Sequence, residues 1–546
     1  MFSKYHVTSS NIKSYLLYGG GGKQWDVMIH NGPMFAPLYE PHNIPIKING
    51  HKYQLTGLAE EYITMYARYI DTDYIKKSRF NKNFLTDWKK TLPNHIKVTS
   101  MDEIDVSDIK KYLDKIKDIK TNMSQKEKDL IKTENKALEE PYMYCVINGG
   151  KIKVGNYKIE PPGIFLGRGD HPKLGMIKKR VNPQDVIINL SKTTPIPKPN
   201  VGGHWKQVIH NNEVVWLATW YDNISGKNKY VFTSMESIFK SKSDMDKFDL
   251  ARKLKQKAHG IRTTYYEDMK SVDIIARQHA VALYLIDNLA LRVGGAKDTK
   301  ETADTVGVTS LRVEHITLME NDTIKLDFLG KDSVRYCRKV KVDSIVYNCI
   351  KEFTTNKLRK TDLFDKISSN SLNSYLNSML EGLTAKVWRT YNASSLFQKE
   401  LERVNVVTLE KMHESERINY LISIFNQANT AVALLCNHQK NVSSDIEKTL
   451  AKINDTIQKY KDRKKKSKDK NKIKIYEAKI LTLKLKRDTK EKMKNVSLGT
   501  SKTNYIDPRI IFAFMKRYDI PDEKLFNKAL LTRFEWAKNV EKDYIF

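Results

Sequence analysis

The sequence predicts an α+β fold, mostly helical, divided into several units along the chain. Three observations predict it. Apolar residues recur at helical spacing through residues 101–140, through stretches between Trp205 and Asn437, and through 446–494. Alternating, glycine-punctuated runs that suit short strands are confined to a few places, chiefly Pro141–Asn189 and Thr323–Val342. Hydrophobic residues make up 40% of the 546 and aromatic residues 10%, enough to bury cores rather than remain disordered. The length allows roughly two to four domains.

Charge narrows the classes of partner. Lys and Arg number 95 against 64 Asp and Glu, a formal charge of +31, which predicts attraction to a polyanion such as nucleic acid or an acidic membrane. The most apolar run, HAVALYLIDNLAL (His279–Leu291), is too short to span a bilayer and carries Asp287 in its middle, so no membrane partner is expected. The first residues, MFSKYHVTSSNIK, lack the apolar core of a secretory signal. Cys145, Cys337, Cys349 and Cys436 are scattered without metal-ligand spacing, which argues against a disulfide scaffold or a structural zinc.

Taken in order, residues 1–24 read as a short flexible lead-in ending in the glycines 19–22. Residues 25–200 mix aromatics, turns, a charged helical stretch and β-rich sequence. They end in SKTTPIPKPNVGG (Ser191–Gly203), whose three prolines and two glycines suit a loop or an interdomain crossing. Residues 201–441 read as helices around a short β stretch. Residues 442–495 differ from the rest: within 446–494, 19 Lys and Arg face 7 Asp and Glu, a surplus of +12. The few apolar residues there, Leu450, Ile453, Ile457 and Tyr460, then Ile473, Tyr476, Ile480 and Leu483, form a heptad seam on each of two helices. The run Lys461–Lys472 interrupts them, which predicts an antiparallel basic hairpin protruding into solvent. Residues 496–546 read as a small helical C-terminal unit.

No phosphate-binding loop, dinucleotide fingerprint, HExxH or metal-spaced carboxylate cluster is present, and no cofactor is expected. Phosphoryl chemistry without ATP or metal needs cationic side chains and a side-chain nucleophile. Five residues meet that need. Arg292 ends an amphipathic helix whose apolar face is Ile275, His279, Leu283, Ile286 and Leu289, with Gly294 and Gly295 as its stop. Lys331 sits in the turn between two alternating strands, Thr323–Leu329 and Ser333–Val342. Arg389 lies in the helical pattern of TAKVWRTYNAS (Thr384–Ser394), and His438 follows a helix bearing Leu421, Phe425, Ala428, Val432 and Leu435. Tyr505 precedes a helix capped by Asp507 with Pro508 at its first position, on a presented loop. Singly each is weak, because a lone Arg or Lys in so basic a chain is usually a surface charge.

Together they carry a resemblance. ALYLIDNLALR (Ala282–Arg292), ETADTVGVTSLRVEH (Glu301–His315), DFLGKDS (Asp327–Ser333), EGLTAKVWRTYNAS (Glu381–Ser394), LLCNHQ (Leu434–Gln439) and LGTSKTNYIDPRI (Leu498–Ile510) resemble eukaryotic-type DNA topoisomerase IB. GPMFAPLYEP (Gly32–Pro41), KNFLTDW (Lys82–Trp88) and KIEPPGIFLGRGDHPK (Lys158–Lys173) resemble the same family's DNA-clamping N-terminal core. The family's long charged N-terminal tail is nearly absent ahead of Trp25, and VGGAK after Arg292 departs from the AGNEK common in the family.

The resemblance implies a bilobed DNA clamp with a tyrosine-recombinase-like catalytic domain. It implies that Tyr505 is the nucleophile, Arg292 and Arg389 clamp the phosphate, His438 donates to it and Lys331 is the general acid. It also implies DNA contacts at Arg168, Lys229, Asp332 and Asn504, and opposing clamp lips at GRGDHPK and near Asp298–Ala303. Double-stranded DNA is the implied partner, the chain acting as a monomer that relaxes supercoils through a 3′-phosphotyrosyl intermediate. The basic hairpin is expected to act on strand swivelling rather than cleavage. The nucleus is the expected location, with a viral protein of the virion or cytoplasm as the alternative. A tyrosine-type site-specific recombinase, which uses nearly the same five residue types, is the alternative activity.

Overall fold

The computed structural model describes residues 17–234, 238–438, 446–492 and 497–546, the side chains of 238–240 excepted. They form two compact units. One comprises residues up to Lys240 with Asp298–Ala303, the other Ser241–Lys297 with Asp304–Phe546.

The first unit is built on small sheets. Met28–Ile29, Tyr144–Ile147 and Gly150–Lys153 form one antiparallel sheet, and Ile46–Ile48 pairs with His51–Tyr53 and Ile104–Asp105 in another. A four-stranded sheet sets Val186–Asn189 between Gln207–Ile209, its parallel neighbour, and Ala218–Asp222, with Lys227–Val231 outermost. This sheet draws together strands from both sides of the Ser191–Gly203 loop. The unit therefore continues to Lys240, beyond the division expected at residue 200.

Two helices, Gly57–Ala67 and Ser78–Trp88, supply Ile63, Phe80, Phe84 and Trp88 to a separate core. The charged stretch folds as helices Ser107–Asn122 and Gln125–Met143, the second opened by a capping box of Ser124 and Glu127. Of the lead-in, residues 1–16 lie outside the described residues. Its described end is packed, not loose: Leu17 is buried and its carbonyl accepts from Trp216 Nε1 at 3.0 Å, while Gly20 N donates to Glu213 at 2.7 Å.

A buried histidine gives this unit a pH dependence. His30 Nε2 lies 2.7 Å from the Asn189 carbonyl, and the Gly32 N–H donates to His30 Nδ1 at 2.9 Å, so the neutral ring satisfies both neighbours. A second ring proton would face another N–H. Burial lowers the His30 pKa to about 4, against the Asn189 bond that raises it. A folded pKa below the unfolded value of about 6.5 means that stability is complete above pH 6.5 and drains away as the pH falls toward 4. His30→Gln should flatten the fall in unfolding free energy between pH 7 and pH 4, read from denaturant titrations, by about 3 kcal/mol relative to the parent chain. Equal slopes for the two proteins would refute this.

The second unit is mainly helical around one sheet. Helix Ile274–Leu289 is buried over nearly its whole circumference from Gln278 to Asp287, because the core closes around it. Ile275, assigned to its apolar face by spacing, is 44% exposed at the first turn. The sheet is the antiparallel meander Ile316–Met319, Thr323–Gly330, Val334–Lys341, close to the strands read from alternation. Helices Ala385–Leu401 and Glu414–Leu435 pack together beside it.

The basic segment forms two helices, Ile446–Lys466 and Lys470–Lys492, paired with each other. It does not stand wholly in solvent. Its second helix also packs along Glu414–Leu435, with Lys479 reaching Glu416 at 4.0 Å and Thr489 buried. Of the heptad seam only Ile453 and Ile457 are buried, because Ala478 and Thr489 rather than the seam residues bury the second helix. Residues 442–445 and 493–495 of the expected hairpin unit lie outside the described residues. Among the described residues no helix is long and apolar enough to cross a membrane.

Candidate active site

Four of the five candidate residues meet in the second unit, although they are up to 213 residues apart. Helix Ile274–Leu289 does not reach Arg292. Ala290 takes a left-handed turn at φ 49 and ends the helix, so Arg292 lies on extended chain beyond it. That chain is pinned by backbone: Val308 N donates to the Arg292 carbonyl at 2.9 Å and Thr309 N to the Val293 carbonyl at 2.8 Å. The approach requires glycine on both sides. Gly294 sits at φ +81, and a β-carbon there would lie 2.7 Å from the Gly307 Cα. Gly294 is thus a close-approach residue rather than a helix stop.

Arg389 projects from helix Ala385–Leu401 and is 4% exposed. Its guanidinium donates to the carbonyls of Ala290 and, at 3.1 Å, Cys436, joining the ends of two other helices. Its Nε is buried with no hydrogen-bonding partner among the described residues. The same holds for Nε2 of His438, whose Nδ1 lies 2.8 Å from Ser501 Oγ. Burial, and then the charges of Arg389 and Arg292, lower His438 to about 3, so the ring is neutral. If the neutral ring accepts from Ser501 at Nδ1, its proton sits on Nε2, a donor with no partner among the described residues.

Tyr505 follows the short helix Leu498–Asn504 and, contrary to the presented loop expected, is only 7% exposed. Its ring packs 5.4 Å from that of His438 and 5.1 Å from the Arg389 guanidinium. Arg292 Nη1 donates to its hydroxyl at 3.3 Å. Burial pushes the phenol up, but the fields of Arg389 and Arg292 together outweigh it and hold the group below the ordinary tyrosine value. Ser394 Oγ fixes the backbone, donating to the Tyr505 carbonyl at 3.1 Å and accepting from Asp507 N at 3.0 Å. The Asp507 cap on Arg509 N and Pro508 at the first helical position stand as read from the sequence.

Lys331 occupies the exposed tip of the Thr323–Gly330 and Val334–Lys341 hairpin, where Asp332 and Ser333 adopt left-handed φ of 65 and 58. Its charge reaches Lys386, which also feels Tyr505 and Arg292. Asn504 and Asp332 are exposed beside Tyr505 and Lys331 respectively. Arg168 and Lys229 belong to the first unit. Arg168 is exposed in a turn between Gly167 and Gly169, both at positive φ, and Lys229 pairs with Glu160 and Asp222, each at 3.4 Å.

Comparison with known proteins decides the family. The family described as "Eukaryotic DNA topoisomerase I, DNA binding fragment" matches residues 23–233, its "catalytic core" 236–471, and "C-terminal topoisomerase domain" 477–546. The human protein named DNA topoisomerase 1 is 40% identical over 559 residues, covering 96% of this chain and 72% of its own length. The chain belongs to the eukaryotic DNA topoisomerase I family. DNA topoisomerase 1 beta of Arabidopsis thaliana is 40% identical over 100% of this chain and 61% of its own length, and DNA topoisomerase 1 of Caenorhabditis elegans is 40% identical over 96% and 68%.

Membership makes the chain a DNA topoisomerase of type IB, an isomerase with DNA as its partner. Three residues of this topoisomerase site escaped the sequence reading. Lys386 lies one turn before Arg389 on the same helix, a spacing that could have singled it out, and burial lowers its pKa while the Tyr505 charge opposes the shift. Ser394 and Ser501 could not have been found, since their roles rest on contacts 111 and 63 residues away.

Proposed function

We propose that the chain relaxes supercoiled duplex DNA by cutting and resealing one strand through Tyr505. One observation carries this reading. Two buried nitrogens without partners among the described residues, Arg389 Nε and His438 Nε2, flank a phenol held below its ordinary pKa by two guanidiniums, an arrangement suited to an anion with a nucleophile beside it.

The lowered phenol gives its proton to solvent water, and its oxygen attacks a backbone phosphorus. The Tyr505 O–P bond forms, the bond from phosphorus to the 5′-oxygen breaks, and Lys331 gives a proton to that leaving oxygen. Arg292, Arg389 and the His438 Nε2–H bind the nonbridging oxygens, where charge accumulates in the transition state. The covalent 3′-phosphotyrosine retains the energy of the broken bond. After the strands swivel, attack by the 5′-hydroxyl reverses each step and returns the proton to Lys331. The cycle therefore consumes neither ATP nor any other energy source.

Arg168, Lys229, Asp332 and Asn504 serve on this reading as contacts to duplex DNA. For Lys229 this means exchanging Glu160 and Asp222 for phosphate. The reading also takes the active form to be a monomer and the nucleus to be its compartment.

The test is relaxation of a negatively and a positively supercoiled plasmid in EDTA without ATP, with reactions stopped in detergent. Relaxation of both, with protein bound to a 3′ end, is the expected result. Failure to relax either plasmid would overturn the proposal.

A further inference from the structure

The charged pair that leads helix Ile238–Asp268 into the core also bears on the nucleophile. Asp244 is 1% exposed and its Oδ2 accepts from Arg533 Nε, itself 2% exposed, at 2.7 Å. One turn further, Lys247 Nζ lies 3.5 Å from Asp244 Oδ1 and 3.9 Å from the centroid of the buried Phe248 ring. From there it donates to the carbonyl of Asn504 at 3.0 Å.

That carbonyl ends the helix Leu498–Asn504, where acceptors have no partner within the helix and the negative end of the dipole favours a cation. The peptide it belongs to joins Asn504 to Tyr505. Its neighbour, the Tyr505 carbonyl, is already held by Ser394. The nucleophile's backbone is thus gripped from two directions by side chains of other helices.

We propose that Lys247 is a positioning residue for Tyr505, fixing the peptide before the nucleophile so that its hydroxyl stays beside Arg292. The inference rests on the reading that Tyr505 attacks phosphate. A rotation of that peptide swings the phenol at the end of a long lever, and a misplacement of about 1 Å can slow a reaction by as much as 10²-fold. Lys247 suits the test because its loss leaves the buried 2.7 Å ion pair of Asp244 and Arg533 in place.

Single-turnover cleavage of a nicked duplex oligonucleotide, read as the Tyr505 adduct across DNA and salt concentrations, compares the parent with Lys247→Met and Lys247→Arg. Lys247→Met should cleave about tenfold more slowly at saturating DNA, within the range that misplacement causes. Its half-saturating DNA concentration and salt slope should match the parent's, and Lys247→Arg should recover most of the rate. An unchanged saturated rate would overturn the proposal. So would a loss confined to affinity with a salt slope reduced by about 0.9, which would make Lys247 a phosphate contact. If Lys247→Met melts below the assay temperature, Lys247→Arg decides alone: it must cleave at close to the parental saturated rate, or the proposal fails. Absence of adduct from the parent would instead remove the catalytic reading itself.

Discussion

Tyr505→Phe should abolish the covalent protein–DNA adduct and lower plasmid relaxation by about 10⁴-fold or more, the scale on which loss of a nucleophile acts. The substitution removes one oxygen and little else. The ring continues to pack against His438 and Arg389, and among the described residues the only side-chain bond lost is the 3.3 Å contact with Arg292. The thermal midpoint and DNA affinity should therefore stay close to the parent's. Denaturing gels of trapped reactions, with the bound peptide identified by mass, check both halves. An adduct persisting in Tyr505→Phe would show that another residue attacks.

Substitution of Arg389 should have the next largest effect, and two replacements separate its roles. Arg389→Gln removes the charge that holds the phenol down, so the midpoint of the cleavage rate against pH should move up toward the ordinary tyrosine value of about 10. Arg389→Lys keeps the charge but not the fork that reaches both Ala290 and Cys436. Its midpoint should stay low while the rate at saturating DNA still falls by about 10²–10³-fold, the range for one lost oxyanion donor. Both variants leave a buried carbonyl unpaired and should lower stability by about 1–3 kcal/mol. If Arg389→Gln left the pH midpoint in place, the field of Arg389 would not be what tunes Tyr505.

The two variants expose a general asymmetry in what the sequence revealed. Arg389 was legible as a helical residue because the pattern of Ala385–Leu401 repeats within a few residues. Its burial and its two carbonyl partners were not, since Ala290 and Cys436 lie 99 and 47 residues away. The basic segment shows the same split. Two helices followed from their own periodicity and charge, while the packing of the second along Glu414–Leu435 depended on a surface that no local pattern announces.

The sequence by itself determined the helical elements, the strands around Lys331, the cap at Asp507 and the identities of the chemical groups. Each of these depends on side chains within a turn or two of one another, or on motifs whose order along the chain is itself the signal. Tertiary structure alone decided that the chain leaves its helix before Arg292, that Tyr505 is buried rather than presented, and that His438 lies between Tyr505 and Ser501. It also decided that the first unit runs to Lys240. The reason is physical: a phenol's pKa, a histidine's tautomer and a glycine's tolerance for close approach are set by atoms within a few ångströms. In this fold those atoms come from helices and loops tens to hundreds of residues apart.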